Sequence, residues 1–224
     1  NIINKIMTFC LDTKIIEPDN TDKIENVVIL LHGYGGDGSD ISMLSLNWKR
    51  FLKNTTFLCP NGHQKCIINP IGYQWFDLSK DDENYILSEA KKAESILQKF
   101  IQEVKKEYNI PSSKIVLSGF SQGCMMAINL GLVSEEKFNC IVGFSGKIID
   151  KNDLGQRKKN NPNILLVHGD ADEVVPVSNL LEAKDFLIRN NIDVNTQIIK
   201  NCGHHIPVEA SSLALNYIKK NLSL

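Results

Sequence analysis

The chain has 224 residues, a formal net charge of −1 and an apolar share of 42%. That length is enough for a real core and is most simply one domain, residues 1–224. The near-neutral balance argues against nucleic-acid binding, whose footprint is basic, and no run of about eighteen apolar residues offers a membrane span.

The opening stretch, Asn1 to Leu11, is too short and polar for a signal peptide, and Met7 could serve as the start. The six cysteines are scattered, with no C-x-x-C pair, which fits a reducing, cytoplasmic setting better than a disulfide framework. Met7 to Ile16 alternates weakly and reads as one or two edge strands. Val27-Val28-Ile29-Leu30-Leu31 is a continuous apolar run, expected of a strand covered on both faces. It runs into His32-Gly33-Tyr34-Gly35-Gly36-Asp37-Gly38, a glycine-rich loop that can bring backbone N–H groups close to a ligand. The loop lacks the Gly-Lys-Ser/Thr ending of a phosphate loop.

Ile41 to Lys53 has helical spacing, and Thr56 to Cys59 reads as a short strand. His63 to Asp82 looks irregular. Its Ile67, Ile68, Ile71, Tyr73, Trp75 and Phe76 suggest a binding wall or a small lid. Glu83 to Tyr108 carries the apolar stripe of a long amphipathic helix, ended by Pro111. Asp150 to Asn161 reads as a polar loop whose Arg157-Lys158-Lys159 is a solvated tip. Ile164 to Val167 is another buried strand, Ser178 to Arg189 a helix with a Ser cap, Val194 to Ile199 an outer strand, and Pro207 opens the last helix.

The most informative stretch is Gly119-Phe120-Ser121-Gln122-Gly123. The strand Ile115-Val116-Leu117 precedes it and an apolar helix follows, the context of a nucleophile elbow. A serine on so sharp a turn holds a strained backbone, and its crowded neighbours favour residues without a Cβ. Gly143-Phe144-Ser145-Gly146 copies part of the motif, but Lys147 replaces the second glycine, so Ser145 reads as a loop residue at the rim of the same site.

Strands alternate with helices along nearly the whole chain, which predicts an α/β fold with a doubly wound, mostly parallel sheet and helices on both faces. The chain between Ser145 and Ile164 is too short for a cap domain. A serine hydroxyl needs a base to take its proton, and the base needs a carboxylate to hold its tautomer. The order Ser, Asp, His is met by Ser121, Asp172 and His204, each just past a strand, where ligands of open α/β sheets bind. Backbone N–H groups of Gln122 and Tyr34 are the expected oxyanion donors. No His, Cys or carboxylate group has metal-ligand spacing.

Leu31 to Gly38, Trp75-Phe76-Asp77, Gly119 to Gly123, His168-Gly169-Asp170-Ala171-Asp172 with Val175-Pro176, and Gly203-His204 together resemble the phospholipase/carboxylesterase family of small α/β-hydrolases. That family includes acyl-protein thioesterases and bacterial carboxylesterases. The resemblance selects Asp172 over Asp170 and Glu173 as the acid, and His204 as the base. It implies a shallow, cap-less site that cleaves small-molecule esters or thioesters without a cofactor or metal. It also implies dimers, common among similar proteins. Substrate contacts are expected from Trp75, Ile68, Ile71 and Val175. The loop from Ile67 to Tyr73 is closer to bacterial esterases than to eukaryotic thioesterases. The leading expectation is a carboxylesterase, set against an acyl-protein thioesterase, a lysophospholipase acting at membrane surfaces without stable insertion, or an inactive ligand-binding relative.

Overall fold

A computed structural model describes residues 9–224. Its centre is a seven-stranded sheet in the order β1-β3-β2-β6-β7-β8-β9. The strands are β1 (Thr13–Ile16), β2 (Asn26–Leu31), β3 (Thr55–Pro60), β6 (Ile115–Phe120), β7 (Cys140–Phe144), β8 (Asn163–Gly169) and β9 (Val194–Ile199). Only β1 runs antiparallel, against β3 at the edge; the other pairings are parallel. Every residue of β2, β3 and β7 is buried, as expected of parallel strands covered on both faces. The edge strand β9 alternates instead. The small hairpin β4 (Gln64–Lys65) and β5 (Tyr73–Gln74) stands apart.

Alternation along β2 divides the core. Val27, Ile29 and Leu31 face one apolar layer, which also holds side chains of α3 (Glu83–Tyr108), α4 (Gln122–Val133), α5 (Lys151–Arg157) and α6 (Ser178–Arg189). Val28 and Leu30 face the other, packed by α1 (Gly38–Ile41), α2 (Met43–Trp48) and α7 (Val208–Leu222). All residues of α4 are buried, and apart from Gln122 and Asn129 its residues are small or apolar, as expected of a helix covered all round.

Several expectations need correction. The single helix expected over Ile41 to Lys53 is broken at Ser42 into α1 and α2. The polar stretch from Asp150 contains α5, capped by the Asp150 side chain on the Asp153 N–H. Arg157 is no solvated tip: it grips the buried Glu94 with two hydrogen bonds, 2.7 and 3.1 Å, and also holds Asp153. Ser178 is the first residue of α6 rather than its cap. α3 ends one residue before Asn109, which adopts the left-handed conformation (φ 50°), ahead of Pro111. The part of the expected first strand before Phe9 lies outside the described residues. Among those residues no helix is long and apolar enough to cross a membrane.

Candidate active site

Four loops meet at the carboxyl end of the sheet: those after β2, β6, β8 and β9. The β6 loop is the sharpest. Ser121 has φ 53° and ψ −116°, a conformation that costs a non-glycine residue about 1–3 kcal/mol. Neighbouring contacts enforce it. A Cβ on Gly119 would lie 2.3 Å from the Gly123 carbonyl carbon, and one on Gly123 would lie 2.1 Å from the Leu31 oxygen. The Ser121 N–H donates to the Phe144 carbonyl at 2.8 Å, and the Ser121 carbonyl accepts from Met125 N–H. The hydroxyl is left unused as a helix cap and turns to His204.

Ser121 Oγ lies 3.0 Å from His204 Nε2, and His204 Nδ1 lies 2.7 Å from Asp172 Oδ2. A carboxylate can only accept, so Nδ1 carries the proton and Nε2 is open to the serine hydroxyl. Asp172 Oδ1 accepts the N–H groups of Val174 and Val175 at 2.9 and 2.8 Å. Burial pushes the Asp172 carboxyl up, but the hydrogen bonds from His204 and from Val175 and Val174 outweigh it and hold the group below its ordinary value. His168 donates from Nε2 to the Val175 carbonyl at 2.7 Å and so braces the same turn. Phe120 packs its ring 4.8 Å from that of His204.

The neighbouring histidine points elsewhere. His205 Nε2 lies 3.9 Å from Cys202 Sγ. Gly203, whose place before His204 suggests a tight turn, needs no glycine: its φ is not positive, and an added Cβ would meet nothing closer than 3.9 Å. Asp170 is exposed. Ser145 copies the elbow's left-handed backbone (φ 52°) but is buried, at 2% exposure, and not at a rim.

The loop after β2 sits against the elbow. A Cβ on Gly33 would be 3.4 Å from the Ser121 Cβ. His32 fixes this loop. Its Nε2 accepts the Gly62 N–H at 2.8 Å, so its other nitrogen is the protonated one and donates to the Gly33 carbonyl at 2.7 Å. Burial pushes the His32 imidazole down, against the opposing pull of that carbonyl. The hairpin laces the loop from above: Gly35 N–H donates to the Tyr73 carbonyl, Tyr73 N–H to the Gly36 carbonyl, and Asn69 Nδ2 to the Gly35 carbonyl.

Trp75, expected in a substrate wall, is fully buried. It stacks on His32 with centroids 5.1 Å apart, and its Nε1–H donates to the His32 carbonyl at 2.9 Å. The Gln122 side chain completes the brace, accepting the Trp75 N–H at 2.7 Å and donating to the Phe76 carbonyl at 2.8 Å. Neither this role of Gln122 nor that of Asn69 was legible in sequence. Val175, also expected to touch substrate, is buried and serves Asp172 through its N–H. Ile68 and Ile71, by contrast, are 75% and 83% exposed on the hairpin loop. An open cleft of about 500 Å³ adjoins the site, walled by Tyr34, Ile41, Met43, Phe120, His204 and Ile206.

A parallel sheet carrying an elbow serine, an acid after a later strand and a histidine after the last strand defines an α/β-hydrolase. The sequence model of the phospholipase/carboxylesterase family matches residues 12–222. The chain belongs to that family, whose members cleave carboxylic esters or thioesters, and is a hydrolase of that broad class. Esterase PE8 is 33% identical over 94% of this chain and 98% of its own, with a TM-score of 0.89. Acyl-protein thioesterase 1 of Yarrowia lipolytica is 27% identical, covering 87% of this chain and 91% of its own. Esterase YpfH of Escherichia coli is 24% identical, covering 87% and 82%.

Proposed function

We propose that the chain is a carboxylesterase that works through an acyl-enzyme on Ser121. The observation that carries this reading is the unbroken hydrogen-bonded line from Ser121 Oγ through His204 to Asp172. His204 Nε2 takes the hydroxyl proton as Oγ attacks the carbonyl carbon, and Asp172 stabilises the imidazolium that forms. The oxyanion of the tetrahedral intermediate receives the N–H of Gln122, at the first turn of α4, and that of Tyr34. As the intermediate collapses, His204 returns the proton to the departing alcohol or thiol. Water then repeats the sequence on the acyl-enzyme and releases the acid.

His32, Trp75 and the Gln122 amide group hold the two N–H donors in place, since donors preorganised at a developing charge need not reorganise during reaction. Ile68 and Ile71 supply an apolar rim beside the Tyr34 loop. Thioesters enter the same mechanism, and relatives named acyl-protein thioesterase support that second reading. The free cysteines, all buried except Cys10, support a reducing, cytoplasmic setting.

A fluorophosphonate probe tests the assignment, because only an activated hydroxyl attacks phosphorus quickly. Label is expected on Ser121 alone, and Ser121→Ala should abolish both labelling and ester hydrolysis while the fold persists. Rapid labelling of Ser145, or retained hydrolysis in Ser121→Ala, would overturn the elbow assignment.

A further inference from the structure

The cleft beside His204 does not end at its apolar wall. It shares Asn47, Val208 and Ser211 with a second groove of about 480 Å³ that runs between α2 and α7. The two clefts adjoin along these three residues, and the second differs in character from the first. Near His204 the wall is Ile41, Met43, Leu44, Phe120 and Ile206. Beyond the shared Asn47, Val208 and Ser211, the second groove adds the polar Ser212 and Asn216 beside the apolar Trp48, Phe51 and Leu215.

Charge changes in the same direction. The carboxylate lining the near part is Asp40, which also accepts the Asp37 N–H in the cap of α1. The far part holds Arg50 and Lys219. Both cations lie over the Phe51 ring, 5.0 and 5.7 Å from its centroid, although they come from positions 169 residues apart in numbering order 50 and 219. Among the described residues no carboxylate pairs with either of them. The adjoining clefts therefore place Asp40 and an apolar wall at the end that holds His204, and two cations with added amide and hydroxyl groups at the far end.

We propose that this channel selects esters with one amphipathic arm, apolar next to the scissile carbonyl and anionic at its far end. The proposal deepens the carboxylesterase reading and rests on it. The eleven-residue step from Val208 to Lys219 along α7 is about 16 Å at 1.5 Å per residue. An anion about that far beyond the point where the arm passes Val208 meets Arg50 and Lys219. An anion close to the carbonyl meets Asp40 and is repelled. A neutral alkyl arm gains from the apolar stretch and then stops gaining where amides and hydroxyls take over.

The test is a ladder of p-nitrophenyl esters whose acyl arms end in carboxylate, phosphate or an uncharged methyl ester. A second ladder carries the charge on the alcohol arm. The readout is the kcat/KM ratio of charged to neutral ester at each length. It should lie below one for short arms and above one for long arms, on at least one ladder. Arg50→Gln combined with Lys219→Gln should lower the long-arm ratio about three- to tenfold, the scale of two exposed ion pairs. About 1 M salt, where the screening length is about 3 Å, should erase it. A control with equal charge loss elsewhere, Lys114→Gln with Lys184→Gln, should leave the ratio unmoved. The carboxylate and phosphate ladders separate the two sources of anion.

Competition by uncleavable ether analogues of the same arms keeps the channel testable apart from catalysis. Tighter binding of the long anionic analogue, lost in the Arg50/Lys219 variant, supports the channel. If no ester is hydrolysed while that binding holds, the carboxylesterase reading fails and the channel stands. A ratio independent of arm length, or equal in the Arg50/Lys219 and control variants, overturns the proposal.

Discussion

Asp172→Asn is the most discriminating perturbation of the site, because the surroundings decide how the new amide must lie. One carboxylate oxygen of Asp172 accepts two backbone N–H groups, from Val174 and Val175, while the other faces His204 Nδ1. An asparagine can keep the first arrangement only by presenting its oxygen to the two N–H groups. Its NH2 then points at His204 Nδ1 and forces that nitrogen to be the acceptor. The ring proton moves to Nε2, which now opposes Ser121 with a donor and cannot take its proton. Turning the amide over restores the useful tautomer but leaves two backbone donors unsatisfied, at about 1–3 kcal/mol each. The productive state is thus about 2–6 kcal/mol uphill, a factor of about thirty to a few times ten thousand. Loss of the negative charge that stabilises the imidazolium adds to this. A fall in kcat of about 10⁴ is expected, with the fold retained.

The assay is steady-state hydrolysis of a p-nitrophenyl ester, read beside the melting transition. Asp170→Asn is the matched control, since Asp170 is exposed, and it should stay within a few-fold of the parent. A loss of less than tenfold in Asp172→Asn with a folded protein would refute the reasoning, as would a larger loss in Asp170→Asn.

Three further outcomes are expected. His204→Ala should cost several decades in kcat and His205→Ala less than about tenfold, because only His204 reaches Ser121; the reverse ranking in the same ester assay would move the base by one residue. Gly123→Ala should lower stability by about 3 kcal/mol or more in urea unfolding, since its Cβ would stand 2.1 Å from a backbone oxygen that no rotamer change can move, whereas Gly203→Ala, with nothing within 3.9 Å, should be neutral or gain up to about 1 kcal/mol. Stability should also fall on acidification below about pH 6.5: burial keeps His32 neutral in the folded chain, so the unfolded chain binds the extra proton, with a slope of up to about 1.4 kcal/mol per pH unit. Asp172, held below its ordinary value, adds a loss at lower pH still, and a urea midpoint unchanged between pH 7.5 and 5.5 would contradict the His32 assignment.

The parts of this molecule legible in sequence are those whose cause is local. The buried strands announce themselves because both faces are covered, so β2 reads as one apolar run. The elbow announces itself because two backbones approach where Gly119 and Gly123 stand, and only glycine leaves room. α5 was invisible for the opposite reason. Leu154 is its one buried residue, which leaves no apolar period to read, and Arg157 is instead tied to Glu94 on α3, 63 positions away.

Trp75 shows the same limit inside the site. An aromatic residue in an irregular loop reads as a wall for substrate, yet the indole N–H finds its acceptor on His32, 43 positions away, and that distant partner turns the ring inward. The sequence thus offers the residues proposed to react but not what holds them. Ser121 stands between Gly119 and Gly123, where close backbone approach demands glycine, and Asp172 and His204 follow it in the order Ser, Asp, His. The brace through His32, Trp75 and the Gln122 side chain, and the channel toward Arg50 and Lys219, depend on which loops the sheet brings together. Strand order decides that: β2 lies beside β6, so the loop that carries Tyr34 must meet the loop that carries Ser121. The open cleft follows from the same order, because its walls come from α1, α2 and the loop before α7, which lie on one side of the sheet, while the buried brace from Trp75 belongs to the core on the other.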